Sequence, residues 1–462
     1  MDRDRAAWFA ARGGLELDPA LDIAITGEDP VLPSPFHLGE GAAVALALVG
    51  QEAARLWALR GGRKQAIAVD VRHAAASLRS YMVLEVNGQA GAPPPRAGSN
   101  VTAIWPCGDG RFIHLHGSFT HGPGILAELG LGEGATAEEI AAATRRRGAF
   151  ELEDALAAQG LCAAVCRTRE EWRAHPQGQV LAAQPVVTLE RIGDAPPEPL
   201  AEADRPLRGV RVLDLTRVLA GPTVARTLAE HGADVLHIAS PNLPTIERFE
   251  MDTGHGKRQA HLDLEDPEQA ATLRELVRGA DVFSQGFQWG SLERRGFGPK
   301  QAAELRPGII YVAENAFGFG GPWDGRPGWE QLAQATTGIC VRQGGDGAPV
   351  LAPAAMNDYT TGYFGAVGAM MALRRRAMEG GSWLVRVSLA RTSMWYFDLG
   401  DDLDPADAAG TGDLSAAMLE RETGYGRMRF LRPALRMSET DPHWELPTAP
   451  PGSGERRWLD RR

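Results

Sequence analysis

Between residues 207 and 312 short apolar runs alternate with helical stretches, and no other feature of the chain restricts its fold as much. Val210-Arg211-Val212-Leu213-Asp214-Leu215 reads as a strand, and a helix from about Pro222 to His231 leads to a second strand, Ala233 to Ile238. Ala260 to Leu264 is strand-like. Asp266-Pro267-Glu268 then opens a helix with an aspartate cap and proline in the first turn, and Leu273, Leu276 and Val277 continue its apolar face. Ala280-Asp281-Val282-Phe283 and Gly308 to Val312 complete the series. Strands running the same way need crossovers, and helices are the usual ones. The pattern therefore predicts an α/β fold, a Rossmann-like doubly wound parallel sheet.

The rest of the chain divides around this block. Ala92 to Ser99 and Ala195 to Pro206 are proline-rich and read as linkers, since neither can continue a helix or a central strand. Asp401-Asp402-Leu403-Asp404-Pro405 begins a third loose region that reaches about Tyr425. The resulting blocks are 1–91, 100–190, 207–400 and a return segment, 425–462. The block 100–190 reads as a smaller mixed α+β domain. Arg111 to His116 alternates as a strand, Leu161 to Cys166 is a short apolar strand, and Thr136/Glu139 and Thr168/Glu171 have capping-box spacing.

An internal similarity links the first and third blocks. Ala43 to Leu78 reads as an Ala-rich helix, Gly61-Gly62, a strand through Ile67 to Val71, and a second helix. Phe364 to Trp395 follows the same order around Gly380-Gly381 and the strand Trp383 to Val387. That order is common in α/β proteins, but it also makes the first block readable as a degenerate repeat of the large-domain segment.

Composition bounds the function. Lys and Arg total 48 against 59 Asp and Glu, a net charge of −11 with no basic block, which argues against a nucleic-acid partner. Four cysteines in 462 residues exclude a disulfide scaffold. The apolar run Ala42 to Val49 is far shorter than the roughly 20 residues of a membrane helix, and no apolar signal segment follows the charged Met1 to Arg5. A cytoplasmic protein with no membrane partner is expected.

Doubly wound sheets bind nucleotide-containing ligands beyond the C-terminal ends of their strands. After the first strand stand Thr216-Arg217-Val218-Leu219-Ala220-Gly221-Pro222, neither a dinucleotide fingerprint nor a P-loop, although a helix N-terminus there favours an anion. With Leu207 to Leu215, this segment resembles the opening of the family III CoA transferases, which include formyl-CoA and carnitine CoA-transferases and α-methylacyl-CoA racemases. The resemblance continues through Ala233-Asp234-Val235, Gly256-Lys257-Arg258, Leu262-Asp263-Leu264, Gly286-Phe287 and Leu292 to Phe297. It ends in Pro327-Gly328-Trp329-Glu330 and Asn357-Asp358-Tyr359-Thr360-Thr361-Gly362. Arg432 to Thr440 resembles the family's last strand and 100–190 its small domain, so the small-domain-like block precedes the Rossmann-like one.

The resemblance implies transfer of CoA from an acyl-CoA to a carboxylic acid, with coenzyme A as co-substrate, no metal, and a homodimer as the assembly. Its catalytic aspartate maps to Asp358, whose carboxylate attacks the thioester carbonyl and passes through an aspartyl anhydride and an aspartyl thioester. Tyr359 to Gly362, read as a turn at a helix start, would supply N–H donors to the oxyanions. Read locally, Asp358 is an ordinary N-cap. By the same resemblance Val218, Leu219, Ala220, Lys257, Arg258, Phe287 and Arg294 line the CoA site, Lys and Arg being suited to phosphate oxygens. Gly362, Gly365 and Gly368 permit close approach of either a ligand or a helix.

Some positions depart from the family pattern. Ala239-Ser240 and Gln285-Gly286 replace its Glu-Arg or Glu-Pro and Glu-Asn pairs, so a catalytically impaired CoA-binding protein is the alternative reading. Trp329 stands where the racemases carry histidine, which leaves racemase or lyase chemistry short of a base. Counted from Gly61 as from Gly380, Gly39 falls opposite Asp358, with Glu40 adjacent. His114 and His116 with His121 could be metal ligands, but alternate residues such as His114 and His116 on a strand simply share a face, and Cys162 and Cys166 read as packed thiols.

Overall fold

The computed structural model describes residues 1–90 and 100–460; the linker read at Ala92 to Ser99 lies outside them. The alternation forms one seven-stranded sheet. Its strands are β1 (Thr188–Gly193), β2 (Arg211–Leu215), β3 (Asp234–Ala239), β4 (Lys257–His261), β5 (Val282–Gln285), β6 (Ile310–Asn315) and β7 (Ser382–Ser388). They lie in the order β4-β3-β2-β5-β6-β7-β1. All neighbours are parallel except β1, which runs antiparallel on the edge beside β7. The sequence gives little sign of β1 because Thr188-Leu189-Glu190-Arg191 offers an edge strand almost no apolar face, and the boundary placed at residue 190 cuts through it. The strand order reverses between β2 and β5, which makes a topological switch point at their C-terminal ends.

Period-two alternation divides the strands between two cores. Val212, Val282, Ile310 and Val312 face the helices Ala220–Glu230 and Met356–Glu379. Leu213, Phe283 and Tyr311 face the helices Pro267–Arg278 and Pro299–Leu305. Each such side chain, fully buried, contributes about 1.5–3 kcal/mol. Asp266 caps the Pro267–Arg278 helix as expected.

The three spaced glycines serve helix packing. A Cβ at Gly362 would lie 2.5 Å from Thr223 Cβ, one at Gly365 2.6 Å from Val224 Cγ2, and one at Gly368 2.4 Å from Val385 Cγ1. Without side chains there, the Met356–Glu379 helix seats directly on the Ala220–Glu230 helix and on β7.

The first block packs against the same core through the helix Leu38–Leu59, whose small residues are buried on almost every side. By length and apolarity this is the one helix among the described residues that could cross a membrane, and 78% of its most apolar window is buried inside the protein. It is apolar all round because it is packed all round. Asp22–Thr26 and Ala66–Asp70 pair in parallel, and Leu435–Met437 of the return segment adds antiparallel to Ala66–Asp70. The returning chain therefore joins a small three-stranded sheet of its own, not the large one, while Leu435 and Met437 enter the shared core. The stretch expected to be loose as far as Tyr425 ends earlier, in a hairpin of Met418–Thr423 and Gly426–Leu431.

The middle block carries a three-stranded antiparallel sheet, Ala103–Pro106, Phe112–Leu115 and Ala163–Val165, over a separate core that includes Ile113, Ile140, Leu152 and Val165. Both capping boxes form.

Candidate active site

A cavity of about 650 Å³ opens at the switch point, between the large sheet and the middle block. That volume suits a small-molecule site. The loops after β2 and β5 form one wall with Val218, Leu219, Ala220 and Phe287, while Thr102, Ile104, His116 and Phe119 of the middle block form the other. Glu314, Glu330 and Asp358 also line it. One chain supplies both walls.

Asp358 is 7% exposed and stands third in the Met356–Glu379 helix, whose N-cap is Ala355. It is therefore inside the first turn and does not cap the helix. Asn357, Asp358, Thr360 and Thr361 are weak helix formers and hide the true start, but burial of Met356, Tyr359 and Tyr363 outweighs their propensity. Tyr359 to Gly362 are consequently helical, not a turn, and the Tyr359 N–H already donates to the Ala355 carbonyl at 3.2 Å. The donors read there for an oxyanion are used by the helix. What the helix still offers is the positive end of its dipole beside the carboxyl.

Burial raises the Asp358 carboxyl well above the usual carboxylate range, and the Glu330 and Glu314 carboxyls push it the same way. Glu330 accepts hydrogen bonds from Gln334 Nε2 at 2.7 Å and Asn357 Nδ2 at 3.2 Å. Burial nonetheless pushes it up to about 7. Burial pushes Glu314 up to about 8. Three acids around one low-dielectric space resist simultaneous ionisation, so protons are shared among them near neutrality.

The residues expected to hold CoA separate into two groups. Val218, Leu219, Ala220 and Phe287 line the cavity. Val218 has φ 73°, a left-handed conformation that a β-branched residue adopts only where its surroundings hold it, and such strain clusters at ligand sites. Lys257 is a correction. It is 3% exposed, and its ammonium donates to Asp214 Oδ2 and to the Pro222 carbonyl, each at 2.8 Å. Burial alone would raise Asp214, but Lys257 and His237 outweigh it and hold that carboxyl well below its ordinary value. Residue 257 points inward from the edge strand β4, where a cation needs a buried anion. Arg258 pairs with Asp234 at 2.9 Å on that same edge, and exposed Arg294 sits on a short turn; neither lines the cavity.

The cations that do line it are Arg217, 4.3 Å over the Phe119 ring, and Arg326, 4.1 Å over the Trp323 ring. The Arg217–Phe119 contact ties the two walls together. Single arginines in loops have no periodic signal, although Arg217's place directly after β2 was a usable one. His114 and His116 also line the cavity, held neutral by burial at about 4 and about 3, with His116 stacked on Trp329 at 5.6 Å. Burial pushes the Cys162 thiol up to about 12 and leaves it unreactive. Among the described residues one group, Asp29, His37 and Glu40, has metal-ligand spacing, but the Arg5 guanidinium already donates to Glu40 at 2.8 Å.

A doubly wound α/β sheet with a cavity at its switch point and a buried carboxyl beside it has its pocket where such sheets bind nucleotide-bearing ligands. Residues 207–401 match CoA-transferase family III. An acyl-CoA transferase of Gibberella moniliformis is 33% identical, covering 84% of this chain and 76% of its own length. Acetyl-coenzyme A transferase nodX of Hypoxylon pulicicidum is 34% identical over 64% of this chain and 54% of its own. Succinyl-CoA:glutarate CoA-transferase of Mus musculus is 33% identical over 38% and 43%. The chain belongs to CoA-transferase family III, enzymes that use CoA thioesters as co-substrates. It spans 76% of the first of these relatives and about half or less of the other two.

Proposed function

We propose that this enzyme moves CoA from an acyl-CoA thioester to a free carboxylic acid, with Asp358 as the covalent nucleophile. The observation that supports this most is the Asp358 carboxyl on the cavity wall at a helix N-terminus, opposite a second wall built by the middle block. The ionised carboxylate attacks the thioester carbonyl carbon, the C–S bond breaks, and CoA leaves as a thiolate. The mixed anhydride so formed is attacked at the Asp358 carbonyl by that thiolate, which releases the donor acid as a carboxylate and leaves an aspartyl thioester. The acceptor carboxylate then attacks the aspartyl thioester, and the returning thiolate takes the acceptor's acyl group and frees Asp358. No net proton is consumed, and each step exchanges leaving groups of comparable quality.

Val218 to Ala220 and Phe287 would hold the coenzyme arm, and Arg217 is the cation on this cavity placed for a phosphate. The same reading takes 1–91 as a degenerate copy of the catalytic segment. In helix register Glu40 stands third in Leu38–Leu59, as Asp358 does in its own helix, but Glu40 is tied to Arg5 and His37. The test is exchange of isotopically labelled carboxylic acids into acetyl-CoA and succinyl-CoA. The wild type is expected to catalyse it, and Asp358→Asn to lose it by about 10³-fold or more while still binding CoA. Undiminished exchange in Asp358→Asn would remove that residue from the role.

A further inference from the structure

β6 ends at the cavity, and Glu314, its fifth residue, is 9% exposed and lines the same space as Asp358. Among the described residues its carboxyl receives no hydrogen bond, and its displaced acidity is due to burial alone. A Cβ placed on Gly286 would lie 2.6 Å from Glu314 Oε2, so this carboxyl end rests against the bare face of residue 286 and a side chain there would have to displace it. The charged and titratable groups around it offer no partner. Arg217 donates to the Pro244 carbonyl and Arg326 to the Ala163 carbonyl, while His114, His116 and His121 are on the opposite wall. Asp358 and Glu330 are acids that repel a third negative charge.

A buried acid without a protein partner is satisfied either by a proton together with a ligand acceptor, or not at all. We propose that Glu314 is a specificity-determining residue: in its neutral form its O–H donates a hydrogen bond to a carbonyl oxygen of the bound acyl-CoA, and it discriminates against a carboxylate at that point. This rests on the CoA-transfer reading. The proton stays on Glu314 and no bond to it is made or broken.

The experiment is calorimetric titration with acetonyl-CoA, a thioether analogue that keeps the carbonyl and cannot be cleaved, at pH 7 and pH 9. The wild type is expected to bind about tenfold more weakly at pH 9, where Glu314 has lost its proton. Glu314→Gln keeps a donor and is expected to lose less than about threefold over the same interval, whereas Glu314→Leu is expected to bind about tenfold more weakly than wild type already at pH 7. The full pH dependence retained in Glu314→Gln, or wild-type affinity in Glu314→Leu, would overturn the assignment to Glu314 and leave the CoA reading standing. A wild type that binds the analogue at neither pH would overturn the CoA reading itself. Should Glu314→Leu fail to fold, the pH dependence of Glu314→Gln decides alone.

Discussion

Lys257 and Asp358 are both charged residues in family motifs, and the structure gives them opposite surroundings. Lys257 is locked to Asp214 in the dry interior, so Lys257→Met strips a buried anion of its ammonium and leaves it only His237 and Thr216, and is expected to lower unfolding stability by about 3–5 kcal/mol in urea titrations. The folded fraction is expected to keep its CoA affinity, which a phosphate ligand's loss would not allow. Among the described residues Asp358 has no salt-bridge partner, and it must be ionised to attack. Its folded-state pKa is raised, so kcat at saturating acyl-CoA is expected to climb with pH until that carboxyl is ionised. Glu330→Gln removes a repelling acid and is expected to move the climb to lower pH, seen in pH–rate profiles of the two proteins. Asp358 was legible because a run of motifs surrounds it. Glu314 was not, because one acid at the end of an apolar strand looks like any strand terminus until its neighbour at 286 is seen.

Elements were readable where apolar period and turn chemistry agreed. The Pro267–Arg278 helix announced itself by its aspartate cap and proline, and β2, β3, β5 and β6 by compact apolar runs. The Met356–Glu379 helix has its N-cap at Ala355, three residues before the Asp358 read as its cap, because its first residues are polar, aromatic and β-branched side chains that packing recruits. β1 escaped for the converse reason, being an edge strand whose pairing comes from β7 and not from its own side chains. The glycine spacing pointed to close approach but left its object open; Val224 and Thr223 settle it. Gly365→Leu is accordingly expected to destabilise the protein by at least about 1–3 kcal/mol, measured as a lower urea midpoint, since the two helices cannot separate without disrupting the core between them.

For the whole molecule, that the middle block faces the large sheet of its own chain was not legible, because no local pattern encodes a contact between blocks so far apart. The Arg217–Phe119 contact and the shared cavity place both walls on one chain. In an assembly whose walls come from different subunits, mixing Asp358→Ala with a variant defective in the middle block, such as Phe119→Ala, restores activity. Here no restoration is expected, and the rate per chain is expected to stay constant on dilution.

The covalent role of Asp358 is tested most directly by incubating the wild type with an acyl-CoA, quenching with hydroxylamine and mapping peptides by mass spectrometry. A hydroxamate on Asp358, formed only when the thioester is present and absent from Asp358→Asn, is the expected result. An unmodified Asp358 in an enzyme that is turning over, or a hydroxamate on another carboxyl, would contradict it.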